Sequence, residues 1–205
     1  MSWIQKKTLH ARHRIVKLIA PKLYNDATSL TLFRLQNIIP RPMILYVKQL
    51  KGNNPLVGVE IGVAQGINTE SILETLNIKK LFLVDPYKPY YQKGELWIQY
   101  VKSYEEAVKR LNNYSSKVTF IRLPSHEVAK IIPNELDFVY IDGNHDYEYV
   151  KMDIEDYYPK IKRGGVLGGH DFYGDFLGVC RAVVEFANKN KLELITEKVD
   201  WWIEK

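Results

Sequence analysis

Between residues 56 and 190, short apolar runs alternate with segments of helical spacing, and this rhythm admits very few folds. The apolar runs, near 56–61, 80–85, 117–122, 136–141 and 164–169, have the length of strands. The stretches near 66–76, 98–113, 125–131, 146–160 and 177–190 space their apolar residues as helices do. Regular alternation of this kind predicts a parallel sheet covered by helices on both faces. Residues 192–195 and 199–203 read as two more short strands joined by a tight connection. Ahead of the first strand, Lys51-Gly-Asn-Asn-Pro55 is a turn and Pro40-Arg-Pro42 a break. Residues 1–51 therefore read as a helical extension and 52–205 as the α/β domain.

Two strand ends concentrate chemistry. Leu136-Asp-Phe-Val-Tyr140 runs into Ile141-Asp-Gly-Asn-His145, and Val166-Leu167 runs into Gly168-Gly-His-Asp-Phe172. In open α/β sheets, ligands bind at the carboxyl ends of the strands. Asp142, His145, His170 and Asp171 are thereby expected to converge on a divalent metal, on a proton to be removed, or on both. His145 has a second reading as a helix-entry residue, because Asn144 and Asp146 look like caps for the following helix.

Upstream, Val57-Gly-Val-Glu-Ile-Gly-Val-Ala-Gln-Gly66 is a strand entering a glycine-containing turn, followed by a helical stretch. Gly62 and Gly66 allow a sharp turn and a close approach of backbone to ligand. The next strand, Lys80-Leu-Phe-Leu-Val-Asp85, ends in an acid about 20 residues on, where a carboxylate can accept hydrogen bonds from ribose hydroxyls. Together these features describe a nucleoside-binding βαβ unit.

The ordered series Val-Glu-Ile-Gly-Val-Ala-Gln-Gly, Leu-Val-Asp-Pro-Tyr, Ile-Asp-Gly-Asn-His-Asp-Tyr-Glu-Tyr-Val, Arg-Gly-Gly-Val-Leu-Gly-Gly-His-Asp-Phe and Asp-Trp-Trp-Ile resembles class I S-adenosylmethionine-dependent methyltransferases. More narrowly, it resembles macrocin-type sugar O-methyltransferases and cephalosporin-hydroxylase methyltransferase-like proteins, from about Leu56 to the C-terminus. The resemblance implies a Rossmann-like three-layer sandwich. Its sheet is mostly parallel with a C-terminal antiparallel strand pair, and N-terminal helices are appended to it. It implies S-adenosylmethionine as cofactor, with Glu60, Gly62 and Gly66 at the methionine, Asp85 at the ribose, Tyr87 flanking the adenine, Ser125 at the adenine edge, and Asp142 beside the cofactor. It further implies O-methylation of a hydroxyl on a small molecule or sugar. Mg2+ or Mn2+ on Asp142, His170 and Asp171 would assist, with His145 and Asp142 as catalytic groups. Two departures stand out: His170 takes the place of an expected carboxylate, and Pro124 removes an acid expected to read the adenine amine.

The chemistry agrees with such residues. Methyl transfer from a sulfonium is an in-line displacement, so the protein supplies positioning and a deprotonated nucleophile. A hydroxyl is helped by a general base or by a cation that stabilises the oxyanion. Two rivals share parts of the pattern. A nicotinamide-dependent oxidoreductase also uses a glycine turn and a ribose acid, but the turn here lacks the usual spaced third glycine. A nucleic-acid methyltransferase draws support only from the basic N-terminus, and the place of its usual Asn/Asp-Pro-Pro-Tyr motif holds Ile-Asp-Gly-Asn.

Charge separates the two regions. Residues 1–51 hold ten Lys/Arg against the single acid Asp26, whereas 52–205 hold 19 Lys/Arg against 23 Asp/Glu. Residues 2–20 read as an amphipathic basic helix whose apolar positions would cover the domain, a second subunit in a homodimer, or a membrane surface peripherally. Packing within the protein is favoured over nucleic acid or membrane, since such faces are common. No apolar run is long enough to span a bilayer, which leads to the expectation of a cytoplasmic enzyme. The lone Cys180 excludes an intramolecular disulfide and reads as a packing residue. The loop Pro86–Trp97 is crowded with aromatics without periodicity, suited to a sugar ring, a phenol or a subunit contact.

Overall fold

Strand β6 (Leu136–Ile141) is buried at all six positions, as expected for a central strand with both faces covered. Around it the computed structural model, which describes residues 39–97 and 103–205, arranges a seven-stranded sheet. In chain order its strands are β1 (Leu56–Ile61), β2 (Ile78–Val84), β5 (Val118–Ile121), β6, β7 (Ile161–Gly169), β8 (Ile195–Glu197) and β9 (Asp200–Glu204). The spatial order is β5-β2-β1-β6-β7-β9-β8. The first five are mutually parallel, while β9 runs antiparallel to both β7 and β8. The mostly parallel sheet with a terminal antiparallel strand pair is the architecture that the family resemblance implies.

Helices α2 (Ile67–Thr75), α3 (Ser103–Arg110), α4 (Ser125–Val128), α5 (Tyr147–Tyr157) and α6 (Leu177–Asn190) fill the connections. Two apolar clusters sandwich the sheet. One gathers Ile72, Leu81, Leu83, Phe138, Tyr140 and Trp202, the other Val139, Ile154, Tyr157, Leu167, Val183 and Trp201. Alternate residues of β6 enter opposite clusters, which is the period of a strand turned into a two-faced core. Each fully buried Leu, Ile or Phe contributes about 1.5–3 kcal/mol by removal from water. Trp201 and Trp202 are both core residues here.

The compact unit begins at Ile39, earlier than residue 52. Helix α1 (Pro42–Lys51) starts on a proline and sends Met43, Ile44 and Val47, all without exposure, into the first cluster. Its last turn carries Lys48 and Lys51, part of the basic excess of residues 1–51. The basic helix expected at 2–20 and the start of the helix expected at 98–113 lie outside the described residues. Among the described residues no helix is long and apolar enough to cross a membrane.

The aromatic loop departs from expectation. It contains a hairpin of β3 (Tyr90–Gln92) and β4 (Glu95–Trp97), with Tyr90 stacked on Trp97 at 6.4 Å between ring centroids. Lys93 and Gly94, the two turn residues, both have positive φ, 51° and 76°, as a type I′ turn requires.

Candidate active site

The sheet changes its winding direction between β1 and β6, and the crevice outside their carboxyl ends is where an open α/β sheet offers a ligand site. On the β1 side, Glu60 is buried and accepts hydrogen bonds from Asn68 Nδ2 (2.9 Å) and the Thr69 hydroxyl. Burial raises its pKa to about 7, opposed by those two donors. Gly62 turns the chain at φ 84°, and a Cβ there would lie 2.0 Å from the Asp142 carbonyl oxygen. Only glycine fits, because the β1 and β6 exits touch at this point.

Asp85, at the end of β2, holds this turn from the side. Its Oδ2 accepts from the backbone N–H of Val63 (3.1 Å) and Ala64 (3.0 Å), and its Oδ1 from that of Tyr87 (2.8 Å). Burial raises its pKa against these bonds. A carboxylate offers about four acceptor positions, so three backbone donors leave one on Oδ1 for a further hydroxyl. Ala64 and Tyr87 both lie at positive φ, 45° and 49°, and the Tyr87 hydroxyl donates to the Ala64 carbonyl (3.1 Å). Strain of about 1–3 kcal/mol at such a residue persists only where its surroundings hold it. The Tyr87 ring is buried against Tyr104, so it braces the turn from within the core.

Ser125 is engaged elsewhere: its hydroxyl donates to Asp153 of α5, and its carbonyl accepts from the Tyr157 hydroxyl (2.9 Å). Burial pushes Asp153 up to about 7. Cys180 donates its thiol to the Tyr173 carbonyl (3.4 Å), and burial pushes the thiol up to about 11.

On the β6 and β7 side, the structure brings Asp142, His145, His170 and Asp171 together as the strand ends indicate. One ligand atom each from Asp142, His170 and Asp171 lies within 4.8 Å of the others. His145 Nε2 is 2.7 Å from Asp171 Oδ2 and 3.7 Å from Asp142 Oδ1. His170 Nδ1 is 3.2 Å from Asp171 Oδ1 and 3.9 Å from Asp142 Oδ1. Asp171 adopts φ 61°, an uncommon left-handed conformation that turns its carboxylate toward both rings.

The electrostatics follow from this crowding. Burial alone would lower the pKa of His145, but Asp142 and Asp171 outweigh it and raise the ring to about 9. Burial favours the neutral acid at Asp171, yet the two histidines hold its pKa well below the usual carboxylate range. At neutral pH His145 is therefore an imidazolium. As an acceptor of a substrate proton it first has to lose one.

Residues unmarked by sequence reading complete the cluster. Gln92 of the hairpin, fully buried, accepts through Oε1 from the backbone N–H of His145 (3.1 Å) and contacts its Nδ1 (3.0 Å). Asp200, also fully buried, accepts from the Tyr140 hydroxyl (3.1 Å) and from the Met43 N–H at the start of α1 (3.1 Å). Burial raises Asp200 to about 6. Arg41 reaches in from the residue preceding α1. Its Nη1 contacts His170 Nε2, and its Nη2 lies 4.0 Å from Asp142 Oδ2. The acids raise the pKa of His170 against burial and Arg41, but a donor-only guanidinium against Nε2 leaves no place there for a second ring proton. An acid in an apolar strand, as in Val199-Asp-Trp-Trp202, was a readable signal for Asp200; Arg41 and Gln92 had none.

A family model described as a methyltransferase domain matches residues 59–172, more than half of the chain and every strand end just described. The chain belongs to this methyltransferase family. Its fold is shared by solved structures of low identity. The O-methyltransferase NovP is 23% identical, with a TM-score of 0.62 over 84% of this chain and 79% of its own. A Streptococcus mutans methyltransferase, SMU.1697c, solved in complex with SAH, is 14% identical, with a TM-score of 0.59 over 82% of this chain and 99% of its own. CalS11, a calicheamicin methyltransferase, is 11% identical, with a TM-score of 0.58 over 100% of this chain and 93% of its own. Among curated proteins, the uncharacterized protein R132 of Acanthamoeba polyphaga mimivirus is 30% identical over 122 residues, 57% of this chain and 52% of its own. The methyltransferase thus spans about half the length of that relative in the match.

Proposed function

We propose that this methyltransferase transfers a methyl group from S-adenosylmethionine to a hydroxyl of a small molecule or sugar, at the cluster of Asp142, His145, His170 and Asp171. The observation that carries the reading is the meeting of a braced glycine turn with two carboxylates and an imidazole whose ligand atoms lie within 4.8 Å. S-adenosylmethionine supplies an electrophilic methyl carbon already activated by the sulfonium charge. Gly62 and Gly66 shape the turn for its methionine portion, with Glu60 anchoring Asn68 and Thr69 of the adjoining helix. Asp85 keeps one acceptor position for the ribose, and Tyr87, bonded to Ala64, holds the turn beside it. The O-methyltransferase NovP, which shares the fold, is consistent with a hydroxyl acceptor.

Asp142, His170 and Asp171 fit a divalent cation: two oxygen donors and one nitrogen, a set that suits Mn2+ at least as well as Mg2+. A bound cation would stabilise the developing oxyanion of the acceptor. His145, held by Gln92 and beside both acids, lies within reach of the same cluster; a cation on Asp142 and Asp171 would neutralise the charges that hold its ring proton, so that the ring, once neutral, would take up the acceptor's proton. The exposed aromatic hairpin, with Tyr91 and Leu96 outward, is positioned to meet the acceptor.

The test is transfer of labelled methyl from S-adenosylmethionine to a panel of sugar and phenol hydroxyls, with manganese and with chelator. Asp142→Ala and Asp171→Ala are expected to abolish transfer and to leave cofactor affinity within about threefold, since the glycine turn keeps its bracing by Asp85. Full turnover in both variants would remove the cluster from the reaction.

A further inference from the structure

Arg41 lies ahead of the family-matched residues 59–172, yet its guanidinium is in the middle of the acidic cluster. The backbone that delivers it is fixed. Pro42 opens α1, Met43 donates to Asp200 Oδ2 at 3.1 Å, and Met43, Ile44 and Val47 are without exposure. The side chain itself is only 11% exposed. Two of the three metal-capable residues, Asp142 and His170, face this one cation.

The contact with His170 has a consequence for its ring. A guanidinium donates and never accepts, so Nε2 must be the lone-pair nitrogen and the proton of the neutral ring sits on Nδ1, toward Asp171 Oδ1 at 3.2 Å. Nδ1 is also the nitrogen that faces Asp142 and Asp171. For Nδ1 to become a ligand, its proton must move to Nε2, and an N–H there would oppose the Arg41 donor. Asp200 Oδ1, 4.0 Å from Nε2, would have to approach by about 1 Å to receive it, in the manner of a carboxylate that orients a metal-bound histidine.

We propose that Arg41 is the built-in cation of this cluster and competes with a divalent metal for Asp142 and His170, so that a residue outside the family-matched segment sets the metal affinity of the site. The inference rests on the metal reading under Proposed function. Binding of manganese alone, followed calorimetrically in the full chain, compares the unmutated protein with Arg41→Gln. Removing a cation a few ångströms from the site is expected to tighten manganese binding by about tenfold or more. Equal or weaker binding by Arg41→Gln overturns the competition and leaves the metal site standing. No binding by either protein overturns the metal reading and the competition with it. A second readout needs no variant: in histidine 15N spectra of the unmutated chain, saturating zinc should move the His170 proton from Nδ1 to Nε2. A His170 ring whose signals zinc leaves unchanged is no ligand, and that overturns the proposal whatever the variant does.

Discussion

At the scale of single residues, the carboxylate of Asp85 does more than its position after β2 foretold. It binds three backbone N–H groups of two loops, so it determines the shape of the turn as well as offering an oxygen to a ribose. Hydrogen bonds to a charged group are worth about 1.5–3 kcal/mol each. Asp85→Ala is therefore expected to weaken S-adenosylmethionine binding by about tenfold or more in calorimetric titration, and unchanged affinity would contradict the assignment. Asp153 provides a pH test away from the crevice. Its pKa rises from 3.8 to about 7 on folding, so the folded state holds a proton that the unfolded chain releases between those values. Stability is thus lost as pH rises from about 4 to 7, and the burden stays above pH 7. Asp153→Asn should remove it: the melting temperature of the variant, relative to the unmutated chain, should climb across that window, at about 2–4 °C per kcal/mol. A constant difference would refute the buried acid.

At the scale of elements, strand and helix positions were legible because each carries its own period, as in the apolar run of β6, broken only by Asp137, or the spacing of Val150, Ile154 and Tyr157 in α5. The β3–β4 hairpin was not legible. Tyr90-Tyr-Gln and Glu-Leu-Trp97 are three residues each, too short to show alternation, and the pairing depends on Lys93 accepting a positive φ that lysine does not advertise. Yet the hairpin carries Gln92 against His145, and Asn144 Nδ2 donates to the Tyr91 carbonyl at 2.9 Å. Gln92→Ala removes the acceptor at the backbone and ring of His145. It should lower kcat about tenfold or more while S-adenosylmethionine affinity holds, because Gln92 contacts no element of the glycine turn. A variant with unchanged kcat would show that the ring is oriented by the acids alone.

At the scale of the whole molecule, the parallel sheet follows from the alternation read in the sequence and the antiparallel end pair from the family resemblance, and the cluster of Asp142, His145, His170 and Asp171 follows from two strand ends being neighbours. The rest of the site comes from residues far apart in sequence. Arg41 and Asp200 meet His170 only because α1 and β9 dock beside β7, a contact that no local pattern encodes. The central claim is a cofactor-binding turn coupled to a cation-assisted cluster. Calorimetric titration of the chain with S-adenosylmethionine, in manganese and in chelator, tests it most directly. Binding in both conditions, with an enthalpy that changes with the metal, is the predicted result; absence of binding in either would contradict the account.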